Sequence, residues 1–194
     1  MKLSVTRQDS YSRGELLLRS FFGWLYIAIP HSVVMGFVSI YTGILQFLAF
    51  WVVLFTGKYP ENWFKVQVQM MNWGMRVNAS LNNLVDGTPA FGLSGESDKV
   101  SVEVPYPESI NRGSVIIRWL FGAFYVGIPH GFCLMFRMIA HQFIAFISWW
   151  AILFTGEFPE KMHAFMVGTY RWQFRISTYM GYMSDEYPPF SGKE

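Results

Sequence analysis

His130, Leu134, Arg137 and His141 fall at spacings of four, three and four, which sets three polar groups on one helix face. That face lies inside an apolar block, where an ionisable side chain is costly and marks a function or a partner. Three readings of Arg137 stand. It snorkels to outer-leaflet phosphates, it meets a carbonyl or acid of another subunit, or it lines a polar cavity for a lipid headgroup or ion. Apart from Glu15 at an edge, no acid lies in either apolar block, so a carboxylate partner at that depth is not expected within the chain.

Two further histidines invite a metal reading. His31 and His130 each follow a proline, Pro30 and Pro129. Without Asp, Glu or Cys nearby they make a poor ligand set. The favoured reading is a helix break, with the imidazole bonded to a carbonyl freed by proline. Trp73 with Arg76, and Trp172 with Arg175, repeat a spacing of three. Either guanidinium binds anionic headgroups while indole anchors the helix, or Arg stacks on Trp or pairs with a nearby Asp; the second is favoured. Gly36, Ser39 and Gly43 line one face with small residues, which lets another helix approach closely. No paired carboxylates, nucleophile elbow, phosphate-binding glycine loop or metal cluster occurs, so no enzyme, metal or cofactor is expected.

These residues sit in a chain that repeats itself. Shifted by 99 residues without a gap, Ile29-Pro30-His31 meets Ile128-Pro129-His130, and Leu54-Phe55-Thr56-Gly57 meets Leu153-Phe154-Thr155-Gly156. Arg19 meets Arg118, Trp73 and Arg76 meet Trp172 and Arg175, and Asp86 meets Asp185. Arg137 has no such partner, since Val38 stands in its place. One structural unit is therefore made twice. The division is 1–93 for the first repeat, 94–108 for a linker with a short extended segment, and 109–194 for the second repeat.

Composition gives the setting. Of 194 residues 52% are hydrophobic, 19% aromatic and only 14% charged, against about 25% charged in soluble domains. Two apolar blocks, about 16–55 and 115–154, each hold roughly 40 residues, twice what one bilayer crossing needs. The net charge of +2 gives no footprint for nucleic acid. The single Cys133 excludes an internal disulfide.

Each unit opens on an alternating segment, Lys2–Thr6 and Lys99–Val104, that reads as a short strand; the two strands can pair. Helix a follows, over 12–29 and 111–128, and Pro30 and Pro129 are expected to end it. Helix b runs over 32–55 and 131–154, and Thr-Gly-x-x-Pro closes it. Helix c is amphipathic, with Trp63, Val66, Met70, Trp73 and Val77 on one stripe. It lies in the membrane interface or packs on a partner, the interface being favoured. An Asp-x-x-Pro-x-Phe turn, 86–91 and 185–190, ends each unit.

Charge selects a topology. If a and b form a hairpin, 14 of the 15 lysines and arginines share one side, Arg137 being the exception. Arg19 and Arg118, inside helix a, then snorkel back to the interface. The expected fold is an all-α membrane protein: a tandem transmembrane or partly re-entrant hairpin plus an amphipathic helix. It has four membrane-embedded crossings, parallel repeats and both termini cytoplasmic.

The second half carries a distinctive run: Leu153-Phe154-Thr155-Gly156-Glu157-Phe158-Pro159, Tyr170-Arg171-Trp172-Gln173-Phe174-Arg175, Tyr179, and Asp185-Glu186-Tyr187-Pro188-Pro189-Phe190. With the upstream Ile-Pro-His it resembles a bacterial membrane family catalogued as domain of unknown function 4389. The likeness is close over 110–190 and looser over 12–92, where Asn72-Trp73-Gly74-Met75-Arg76 and Asp86-Gly87-Thr88-Pro89-Ala90-Phe91 stand. It implies a bacterial inner-membrane location, sometimes in tandem copies, and implies no reaction. The expected function is a non-catalytic accessory or scaffold subunit of a larger membrane assembly, with lipids and other membrane subunits as partners. The alternative is a lipid-handling or transport component that binds anionic headgroups through His130, Arg137 and His141.

Overall fold

A computed structural model describes residues 1–193. It contains two short strands and four helices: β1 (Lys2–Val5), α1 (Arg13–Thr56), α2 (Glu61–Leu81), β2 (Val100–Glu103), α3 (Arg112–Thr155) and α4 (Glu160–Met180). α1 and α3 are each long and apolar enough to cross a membrane.

Polar caps start both long helices. The Ser12 hydroxyl accepts from the Glu15 amide, and Asn111 Oδ1 accepts from the amides of Gly113 and Ser114. Gly57 and Gly156 end them at φ of 73° and 78°, a left-handed conformation that suits glycine. Pro60 and Pro159 then begin α2 and α4, as the Thr-Gly-x-x-Pro pattern predicts.

The Pro-His corners do not form. α1 is helical through Pro30 and α3 through Pro129, so the expected a–b hairpins are replaced by two unbroken 44-residue helices. The reason lies one turn earlier. Trp24–Ala28 and Ala123–Gly127 are π-turns, in which Ile29 N–H donates to Trp24 O and Ile128 N–H to Ala123 O. The wider turn relieves the clash between the pyrrolidine ring and the carbonyl four residues back. Four crossings thus become two continuous apolar helices. Arg13 Nη2 donates to Phe154 O at 3.0 Å and Trp149 Nε1 to Ser20 Oγ at 2.7 Å, while Phe50 stacks on Trp119. The start of each long helix therefore packs on the end of the other, and the two run antiparallel.

One stripe of each long helix is buried. In α1 it carries Leu16, Arg19, Gly23, Ile27 and His31, then Thr42, Leu45, Ala49 and Val53. In α3, Val115, Arg118, Gly122, Val126, His130, His141, Ser148 and Ile152 hold the equivalent places. Beneath these stripes lie α2, α4, the sheet and the closing turns. β1 and β2 pair antiparallel, with Leu3 opposite Val102, as their alternation suggests. A core joins both copies: Leu16, Met75 and Leu84 meet Ile152, Phe158 and Met166.

The amphipathic helices turn their apolar stripes inward rather than to an interface. Trp73 is fully buried and Trp172 nearly so. The exposed side of α2 carries Glu61, Lys65, Gln69 and Asn78. The indoles go inside because each finds a hydrogen-bond acceptor there.

Candidate functional site

The indole–imidazole pair is the centre of each unit. Trp73 Nε1 donates to His31 Nδ1 at 2.8 Å, and Trp172 Nε1 donates to His130 Nδ1 at 2.9 Å. An accepting Nδ1 places the proton on Nε2, so each imidazole is neutral and its Nδ1 lone pair is occupied. The expected bond to a freed carbonyl is not what the structure shows: each imidazole Nδ1 accepts from an indole of the following helix instead. The closing turn covers the pair. Phe91 packs on His31 at 4.6 Å, and Phe190 stacks on His130 at 3.9 Å and 6°. His130 Nε2 also lies 3.2 Å from Tyr187 Oη, which donates to Tyr125 O.

The arginines clamp that turn. Arg19 donates to Val85 O, Asn83 Oδ1 and Asp86 Oδ1 at 3.0, 3.1 and 2.8 Å. Arg118 donates to Tyr179 O and Ser184 O at 2.7 Å each, and pairs with Asp185. Both side chains are buried, so neither snorkels to an interface. Asp86 and Asp185 also accept from the amides of Ser12 and Asn111, which ties the turn to the start of the long helix. Arg76 donates to Ala90 O and Gly92 O, and Arg175 to Ser191 O and Lys193 O. Neither of these stacks on its Trp or pairs with Asp; carbonyls of the segment after the closing turn accept from them instead.

The polar face of α3 is divided. Arg137 Nε donates to Thr169 Oγ1 at 2.9 Å and Nη2 to Phe165 O at 3.1 Å, with the guanidinium 4.2 Å from the Phe165 ring centre. All three readings of Arg137 gave it a partner outside the chain or a ligand. Its partners are on α4, because the stripe that carries it faces inward. His141 is different. It is buried, its Nδ1 has no hydrogen-bond partner, and its ring meets Tyr170 edge-on at 5.4 Å. It lines a cleft of about 480 Å³ with Gln67, Asn82, Met138, Gln142 and Tyr170. Asn82 Nδ2 donates to Tyr170 Oη at 2.9 Å, and burial pushes that phenol up to about 12, so it stays protonated.

Gly36, Ser39 and Gly43 are exposed, and a Cβ on either glycine would meet nothing within 4 Å. No helix of this chain uses that face. Among the described residues no three His, Cys, Asp or Glu side chains cluster as metal ligands.

The clamps and indole–imidazole pairs were missed by sequence reasoning, yet each had a signal. Arg–Asp recurs at a separation of 67 and His–Trp at 42 in both copies, which is what a contact inside a repeated unit requires.

Fold and site together define a tandem-repeat, mainly helical protein in which two long apolar helices pack on a layer whose arginines bond within the chain. The chain belongs to a family described as domain of unknown function DUF4389, whose model matches residues 18–92 and 112–192. Comparison with curated proteins and with solved structures finds no match.

Proposed function

We propose that the protein is a non-catalytic scaffold subunit of a larger assembly in the bacterial inner membrane. One observation carries the reading. Among the described residues, 33 of the 38 exposed large apolar side chains lie on α1 and α3, while every arginine within those helices beyond their first residue is bonded inside the chain. The molecule spends its polar chemistry on holding its own shape and offers an apolar back. Soluble monomers seldom expose contiguous apolar patches above a few hundred Å².

Both termini are assigned to the cytoplasm. The N-terminal strand pairs with the linker strand, and Arg171 donates to both Leu3 O and Gly192 O. One compartment then receives both ends, and the positive-inside bias favours the cytoplasm. The lipid-handling alternative is less well supported, since Arg137 and His130 already have partners within the chain. Native mass measurement after mild extraction tests the scaffold reading. The expected particle contains other subunits and exceeds the 22.5 kDa chain; a stable lone monomer overturns it.

A further inference from the structure

We infer that α1 and α3 lie flat in a single leaflet, with the polar layer facing the cytoplasm, and that neither helix crosses the bilayer. The occupant of the apolar back is thus one phospholipid leaflet. This rests on the membrane seating proposed above, and not on the existence of partner subunits.

Both ends of each long helix are tied to the same layer. Tyr11 N–H donates to Gly156 O at 2.8 Å and Ile110 N–H donates to Gly57 O at 2.7 Å. Tyr11 and Ile110 in turn lead to the paired strands β1 and β2. A straight crossing would carry one end of the helix away from that layer.

The middle of each helix stays on the layer too. Along α1, Arg19 bonds the closing turn at Asp86, His31 bonds Trp73 of α2, and Thr42 O accepts from Gln67 at 2.7 Å. Gln46 then donates to Gly181 O at 2.8 Å. α2 runs beneath this whole stretch, and its outer side is polar, with Lys65, Gln69 and Asn78 exposed. A spanning α1 would drag that polar side through hydrocarbon, where exposed polar groups cost several kcal/mol each.

Length agrees. Forty-four residues at about 1.5 Å each give roughly 66 Å, twice the hydrocarbon thickness of about 30 Å. A helix lying in plane has no such limit, and its apolar face sinks about 5–10 Å. Charge is complementary to this seating. Beyond the first turns, the charged residues of the long helices are Arg19, Arg118 and Arg137, and all three turn to the layer.

The test uses the full chain carrying Cys133→Ser and one new cysteine at a time. Phe22→Cys, Phe37→Cys and Phe47→Cys, each bearing a small fluorophore, are reconstituted in phosphatidylethanolamine–phosphatidylglycerol vesicles with lipids nitroxide-labelled at graded depths. All three should report the same shallow depth within one leaflet. In spheroplasts, Ser32→Cys and Gly131→Cys should not react with an impermeant maleimide added outside. A Phe37 probe deeper than the other two by half a leaflet or more, or labelling from outside, overturns the inference. So does the absence of quenching at all three, which would mean that protein covers the face. Each outcome is independent of the particle mass that tests the scaffold reading.

Discussion

Arg137 is where the two copies differ most sharply in chemistry, and its bonds tell what the difference does. It holds Thr169 Oγ1 and Phe165 O of α4, whereas Val38 in the first copy has nothing comparable to offer α2. Arg137→Val should therefore act on stability, not on ligand content. Thr169 keeps its own bond to Phe165 O at 2.9 Å, so no buried donor is orphaned, and the loss should be about 1–3 kcal/mol. Chemical unfolding in detergent measures it. Copurifying phospholipid, assayed by extraction and mass spectrometry, should be unchanged, and a marked fall would restore the lipid-handling reading. His163 makes a second residue-scale case. It is buried against Leu84 O, and burial holds its pKa below the ordinary 6.5. The folded chain keeps the ring neutral while the unfolded chain takes up a proton near 6.5, so stability should fall as pH drops below about 6.5. In His163→Phe, the residue of the first copy at Phe64, the melting temperature should lose that part of its pH dependence between 7.5 and 5.5. Composition and spacing made Arg137 stand out. They could not say which way it points, because an isolated helix wheel shows a face and not what covers it.

At the scale of elements, proline was the misleading residue. Locally it opposes a helix by about 3 kcal/mol, and the sequence around Pro30 reads as a corner. The buried stripe that runs from Leu16 through Ile27 to His31, on both sides of the turn, outweighs that cost, and the π-turn at Trp24–Ala28 relieves the clash. Pro30→Ala should leave α1 intact, since an N–H is restored in a segment that is already helical. Spin labels on the exposed Leu18 and Leu48 read this directly. A straight helix sets them about 45 Å apart, and both the natural chain and Pro30→Ala should give distances above about 30 Å. Values under 20 Å would mean a folded-back hairpin. Other elements were legible. The strands announce themselves by period two, the C-terminal glycines by Thr-Gly-x-x-Pro, and helix c by its stripe. What helix c faces was not legible, because burial of Trp73 depends on His31, 42 residues earlier.

For the whole molecule, the repeat declared two like units but not their relation. The structure supplies it in the sheet. β1 and β2 pair as Lys2↔Glu103, Leu3↔Val102, Ser4↔Ser101 and Val5↔Val100. Translated by the 99-residue offset, that register is the first strand paired with itself, and Leu3 lies opposite its own counterpart on a pseudo-two-fold axis. The same axis exchanges Tyr11–Gly156 with Ile110–Gly57. A single unit leaves these bonds open, and a second copy of it can close them isologously. Residues 1–93 alone should therefore form a symmetric dimer in detergent, with about twice the chain mass by light scattering. It should be looser than the tandem chain, because the Phe50–Trp119 stack becomes Phe50 against Ser20. In this piece, which has no cysteine, Leu3→Cys should cross-link across the axis on mild oxidation. Facing residues of an antiparallel pair stand about 4.5–5.5 Å apart between Cα atoms, within disulfide reach. A monodisperse monomer, or a dimer that resists this cross-link, would show that the second copy is not the structural equivalent of the first. Ser20→Trp should tighten the dimer by restoring the aromatic stack, which a shift in its dissociation concentration would register.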